Sequence, residues 1–265
     1  AELAWYRGSF DNARRLYKSC LRLRREIGDR TGQTYSLAGL AYVNRYQGHF
    51  DQAVALEDEN IRIFAEDQNL LGLAYALSQR SFTCYFMGRF DEATQDRSRS
   101  IEIYKDLGLS TIQNSLFLDL YMIVRGHYEV ENKYCPIDET LIEELGHNSL
   151  YVFQYLGLVA IVHERYIEAE RFLEISVGLF REEKRKNELD IALAGLAVTL
   201  SYQGKLAEAV SKLAQAIQIS LETRGVLSTI NILPLAAPIV ASLGRTEYAV
   251  ELYEVALQYQ LVSNS

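Results

Sequence analysis

Gly48-His49-Phe50-Asp51-Gln52-Ala53 decides the fold, because its pattern of glycine, a free position, an aromatic or leucine, two free positions and alanine returns along the chain. It stands earlier as Gly8-Ser9-Phe10-Asp11-Asn12-Ala13 and later as Gly88-Arg89-Phe90-Asp91-Glu92-Ala93, about 40 residues apart each time. Further on it reads Gly204-Lys205-Leu206-Ala207-Glu208-Ala209 and, with Thr in the aromatic slot, Gly244-Arg245-Thr246-Glu247-Tyr248-Ala249. Two degenerate copies lie between: Gly126-His127-Tyr128 with Glu131 in the alanine slot, and Glu164-Arg165-Tyr166 with Ala169 in place. Self-similarity at a fixed period of this length is the mark of a solenoid.

Each period reads as a helical hairpin. Ahead of Gly48, the residues Leu37, Leu40, Ala41 and Tyr42 recur at helical spacing, and the glycine ends the helix by taking a left-handed conformation without a Cβ clash. Asp51 then sits in the first turn of a second helix, at its positive dipole end, with Ala53, Leu56, Ile61 and Phe64 marking the packing face. Ala53 is small because the two helices cross at that height. Polar breaks at Gly28-Asp29-Arg30-Thr31-Gly32, Glu66-Asp67-Gln68-Asn69 and Thr223-Arg224-Gly225 supply the turns between hairpins. Two helices of about 15 residues, each about 22 Å long, fill the period.

Composition narrows the function classes. A hydrophobic content of 49%, three prolines and no low-complexity run describe one folded domain over residues 1–265. The 35 acidic against 27 basic residues give a net charge of −8, which disfavours direct nucleic-acid binding. Cys20, Cys84 and Cys135 show no CxxC spacing and suit free thiols in a reducing compartment. With no apolar stretch of the roughly 18 residues that a membrane span needs, the expected location is the cytoplasm.

The Gly/aromatic/Ala triplets, with a small residue seven positions earlier in Ala41, Ser81, Gly157, Ala197 and Ala237, resemble the tetratricopeptide repeat family in its extended form of about 40 residues. The resemblance covers essentially the whole chain. It implies an all-α, right-handed superhelical solenoid of about seven hairpins, the first incomplete. Ile27-Gly28-Asp29-Arg30-Thr31-Gly32-Gln33, followed by an Ala/Leu-rich helix, is similar to the repeat regions of bacterial STAND ATPases and large transcriptional regulators. Kinesin light chains and polarity adaptors also use long repeats. The STAND likeness implies a sensor or regulatory module that takes a protein or peptide, or a small-molecule inducer, and contacts an ATPase domain N-terminal to it. A plain scaffolding adaptor for partner peptides, or an intracellular receptor for a short signalling peptide, are the alternative readings.

Departures from the rule add detail. Only seven residues precede Gly8, so the first hairpin lacks most of its first helix, and the chain reads as a piece of a longer protein. Glu131 and Pro136 predict an irregular fourth repeat around residues 126–146, while Pro234 and Pro238 predict a kinked or shortened helix. Four residues after the alanine most repeats place an apolar group, namely Tyr17, Leu173, Leu213 and Tyr253, but two place Glu57 and Arg97. Neighbouring second helices bring that pair side by side, so the two either form an ion pair or both reach solvent.

Sites for chemistry are sparse. The chain has no GxxxxGK[ST] loop, no GxGxxG after a strand, no HExxH and no calcium loop, and neither a cofactor, a metal nor catalysis is expected. His163-Glu164-Arg165-Tyr166 lacks a second histidine at metal-binding spacing. Projecting the family's inward positions gives a binding face of Tyr35, Tyr42, Arg45, Tyr46, Tyr75, Ser78, Phe82, Tyr85, Tyr151, Gln154 and Tyr202. Tyrosine suits such a face, since it joins a large apolar ring to a hydroxyl at low entropic cost. The same rings at helical spacing also suit packing between repeats.

Overall fold

Each hexapeptide is a turn from one helix into the next. The computed structural model describes residues 1–109 and 150–262, and every regular element among them is an α-helix. One compact unit centres on α1 (Glu2–Tyr6), α2 (Phe10–Glu26), α3 (Arg30–Tyr46), α4 (Phe50–Glu66), α5 (Leu70–Phe86) and α6 (Phe90–Asp106). A second centres on α7 (Leu150–Val162), α8 (Tyr166–Glu182), α9 (Lys186–Tyr202), α10 (Leu206–Thr223), α11 (Val226–Ser242) and α12 (Thr246–Val262). From α1 to α6 and from α7 to α10 each helix packs on the next, and α7 also touches α9. The chain is an all-α helical repeat.

The repeat has a finer beat than the hexapeptide shows. Left-handed residues fall at Gly8, Gly28, Gly48, Gln68, Gly88 and Gly108, twenty residues apart, and again at Glu164, Lys184, Gly204, Arg224 and Gly244. Most helices are 17 residues long, about 25 Å, and a three-residue link completes the beat. The geometry of the link is a Schellman motif. At Gly48, His49 N–H reaches back to the Asn44 carbonyl at 2.8 Å and Gly48 N–H to the Arg45 carbonyl at 3.0 Å. His49 is at once the last residue of that motif and the N-cap of α4, whose carbonyl accepts from Ala53 N–H at 3.1 Å.

The first helices α3 and α5 begin differently from the second helices. α3 and α5 open on Asp29 and Asn69, whose side chains accept from Gly32 N–H at 2.8 Å and Gly72 N–H at 2.9 Å. α2, α4, α6 and α8 have no side-chain cap bond and start instead on an aromatic ring. In α2, α4 and α8 that ring meets one 36 residues on, near the end of the following first helix. Phe10 lies 5.9 Å from Tyr46, Phe50 stacks on Phe86 at 6.0 Å, and Tyr166 stacks on Tyr202 at 4.9 Å. This aromatic rung joins hairpin to hairpin.

The alanine of the hexapeptide is buried in all six described copies, Ala13, Ala53, Ala93, Ala169, Ala209 and Ala249. Four residues later, Tyr17 and Leu173 fill notches in a neighbouring first helix: a Cβ on Gly39 would stand 2.3 Å from the Tyr17 ring, and one on Gly157 2.4 Å from Leu173. In α4 the buried side includes Ile63 rather than Ile61, one step round the helix from the sequence expectation. Arg80 of α5 grips the Asp96 carboxylate with two bonds of 2.7 Å and also contacts Asp58, tying α4, α5 and α6 together.

Pro234 and Pro238 do not shorten α11, which keeps its full 17 residues. Their spacing of four places both missing N–H groups on one stripe, and Ser242 Oγ donates to the Pro238 carbonyl at 2.9 Å. The irregular repeat around 126–146, with Glu131, Cys135 and Pro136, lies outside the described residues.

The left-handed positions are separable from packing. A Cβ on Gly204, at φ +80°, meets nothing within 4 Å, so Gly204→Ala carries the backbone cost alone, about 1 kcal/mol. Gln68→Gly, at φ 53°, is expected to gain roughly 0.5–1 kcal/mol. Urea unfolding of the two variants checks both signs.

Candidate functional site

Most of the expected binding-face residues meet in two polar seams between consecutive first helices. In the first unit the centre is Arg45 of α3, 4% exposed. Its Nη1 donates to the Gln79 carbonyl at 2.9 Å and its Nη2 to Gln79 Oε1 at 3.0 Å, both on α5. The guanidinium lies over the rings of Tyr42 at 4.7 Å and Phe82 at 5.6 Å. The Tyr42 and Tyr75 hydroxyls bond each other at 2.8 Å, closing the same α3–α5 seam.

Glu57 enters this seam from α4, at the position where other second helices place Tyr17 or Leu173. Only 3% exposed, it stands 3.5 Å from Arg45 and accepts from Thr83 Oγ1 at 2.8 Å. Its cationic partner is therefore Arg45 of the preceding helix rather than Arg97, because side chains four after the alanine point between first helices. Burial pushes the Glu57 carboxyl up to about 8 against the pull of Arg45, Thr83 and Arg80. Arg45 is accordingly held by groups that suit a neutral Glu57: a carbonyl, an amide oxygen and two ring faces.

The second unit repeats the theme with other residues. The Tyr151 hydroxyl of α7 accepts from Arg185 Nη1 at 2.8 Å and donates to Glu188 Oε1 at 2.9 Å. Gln154 Nε2 lies 3.4 Å from the Glu188 carbonyl. Burial raises Glu188 to about 7, opposed by Tyr151 and Arg185, and raises the buried Asp190 well above its ordinary value, opposed by the nearby Ser228 of α11 and by the Ile191 N–H, which donates to Asp190 Oδ1 at 2.7 Å.

The remaining expected residues divide by exposure. Ser78 and Tyr85 are buried, with Tyr85 edge-on to Phe86 and Phe90. Tyr46 is buried against Phe10 and edge-on to Trp5 at 5.6 Å. Tyr35 is 70% exposed, and Tyr202, stacked on Tyr166, is 51% exposed. Sequence reasoning missed Gln79, Thr83, Asn60, Arg185 and Glu188 as seam members. Of the seam's acids it singled out Glu57, because that position breaks the apolar rule. Cys84 is a buried thiol pushed up to about 12, which makes it a packing group and a poor nucleophile.

No protein-family model matches this sequence, and no curated protein matches it. Among the described residues no helix is long and apolar enough to cross a membrane.

The seams give stability a pH dependence of known sign. The folded chain holds Glu57 protonated up to about pH 8 while the unfolded chain releases that proton near 4.5. Its contribution is complete below the unfolded value and is lost as pH rises through the folded one. Glu188 acts the same way up to about 7. The thermal midpoint is expected to fall between pH 5.5 and pH 8.5, and Glu57→Gln, which keeps the neutral shape, is expected to remove part of that fall. Differential scanning calorimetry at the two pH values reads it.

Truncation separates the rings. Tyr46→Ala removes a buried aromatic and is expected to cost about 3–5 kcal/mol, whereas Tyr35→Ala is expected to stay within about 0.5 kcal/mol of wild type. Chemical denaturation measures both.

Proposed function

We propose that this chain is a non-catalytic tetratricopeptide-like binding module, the sensor region of a STAND-like signalling ATPase or transcriptional regulator, taking a peptide or protein segment along its first helices. The observation that carries the reading is the arrangement of those helices. Within each unit consecutive first helices are locked side by side, by Arg45–Gln79 in the first and by Tyr151–Glu188 in the second, which gives each unit a rigid platform, while the ring of Tyr35 stays accessible in the first and that of Tyr202 in the second. A rigid row of helices with accessible tyrosines suits recognition of an extended or helical partner at low entropic cost. The sequence from Ile27 to Gln33 supports the regulatory assignment by resemblance.

The test uses the parent protein. Under this reading a nucleotide-binding domain with a phosphate loop lies N-terminal to Ala1, and its ATP turnover responds to a partner. Tyr35→Ala with Tyr202→Ala is expected to reduce that response at least tenfold, while stability falls only by the roughly 0.5–1.5 kcal/mol that the Tyr166–Tyr202 stack contributes. A parent lacking such a domain returns the chain to the scaffolding or peptide-receptor reading. An unchanged response in the double variant removes the proposed face.

A further inference from the structure

Where α3, α4 and α5 meet, two buried oxygens face a small notch. Glu57 Oε2 and Asn60 Oδ1 have no hydrogen-bond partner among the described residues, and each residue is 3% exposed. The other Glu57 oxygen is committed to Thr83 and Arg45. Both residues line a cavity of about 10 Å³, closed by Tyr42, Arg45, Gln79 and three alanines. That volume is about the room that one water needs, and two to four polar neighbours are what a buried water requires.

We propose that this notch is a buried-water site, in which a single water bridges Glu57 Oε2 and Asn60 Oδ1 and completes the junction between the second and third hairpins. Three alternatives fail on the chemistry of the walls. An apolar group would leave both oxygens desolvated and unbonded, which burial penalises. A metal or ammonium ion would sit beside the Arg45 guanidinium, 3.5 Å from the same carboxylate, with Arg80 adding to the positive potential. A larger polar group exceeds the space. Water alone serves both states of the acid: it donates to both oxygens when Glu57 is ionised, and accepts from Glu57 while donating to Asn60 when Glu57 is protonated.

The position has a counterpart elsewhere in the repeat. Asn60 lies seven residues after the hexapeptide alanine, where other second helices carry the half-buried Cys20 and the buried Ser100, Ser176, Ala216 and Ala256. Ser100 turns its hydroxyl onto the Ala74 carbonyl at 2.7 Å, the Ser176 hydroxyl has no protein partner among the described residues, and the alanines have no polar group to satisfy. Asn60 is larger than these and faces a carboxylate, so the water has a reason to be here.

A crystal structure of the protein at about 1.5 Å, near pH 7, tests the site directly. One ordered density peak within about 3.2 Å of both Glu57 Oε2 and Asn60 Oδ1 supports the proposal. An empty notch, or a direct Glu57–Asn60 bond in its place, overturns it. Asn60→Leu is expected to lose the peak with α3, α4 and α5 unmoved, and to lower by one the number of long-lived waters counted by magnetic relaxation dispersion. If that variant does not fold, the same count on Asn60→Ser, expected to match wild type, and the wild-type density decide the matter.

Discussion

A residue in the left-handed region at the end of each helix is the constraint on which this structure depends. It reverses the chain in three residues, and by using one residue as both the end of a Schellman motif and the N-cap of the next helix it leaves no slack between elements. Regular links make regular helices. Because most helices are 17 residues and most links three, side chains separated by one hairpin arrive at the same height, and contacts between hairpins inherit that register.

Two kinds of contact exploit the register. The aromatic rung, Phe10 to Tyr46, Phe50 to Phe86 and Tyr166 to Tyr202, is apolar and recurs with the same spacing in both units. The polar seams do not recur residue for residue. Arg45 with Glu57 serves one unit and Tyr151 with Arg185 and Glu188 the other, so the seams are individual solutions at equivalent places. Buried charge of this kind adds little net stability compared with apolar packing, yet it penalises any sliding of one hairpin past the next, since a one-turn shift would strand a guanidinium or a carboxylate.

Much of this was legible in the residues. Gly48, Phe50 and Ala53 are each read correctly from their chemistry: a left-handed stop, a packed ring at the helix start, and a small residue at the crossing. The beat at twenty was harder to see, because Gln68, Glu164, Lys184 and Arg224 take the left-handed position without being glycine. Glu57 was conspicuous as a carboxylate in an apolar slot, but its partner was not, since Arg45 stands one helix before it and Arg97 two helices after it along the chain. Only the rotation of α4 between α3 and α5 chooses Arg45.

The sequence by itself determined the period, the helical class and the places where the chain must turn, because these follow from local sterics and from side-chain size repeated at fixed spacing. The tertiary structure decided which tyrosines are accessible and which are packed. Tyr35, Tyr42 and Tyr46 occupy one helix and look alike in sequence, yet the first is exposed, the second bonded to Tyr75 and the third buried against Phe10. The difference comes from the neighbouring helix that each ring happens to meet, and that neighbour is set by three-dimensional packing rather than by anything within a few residues of the ring.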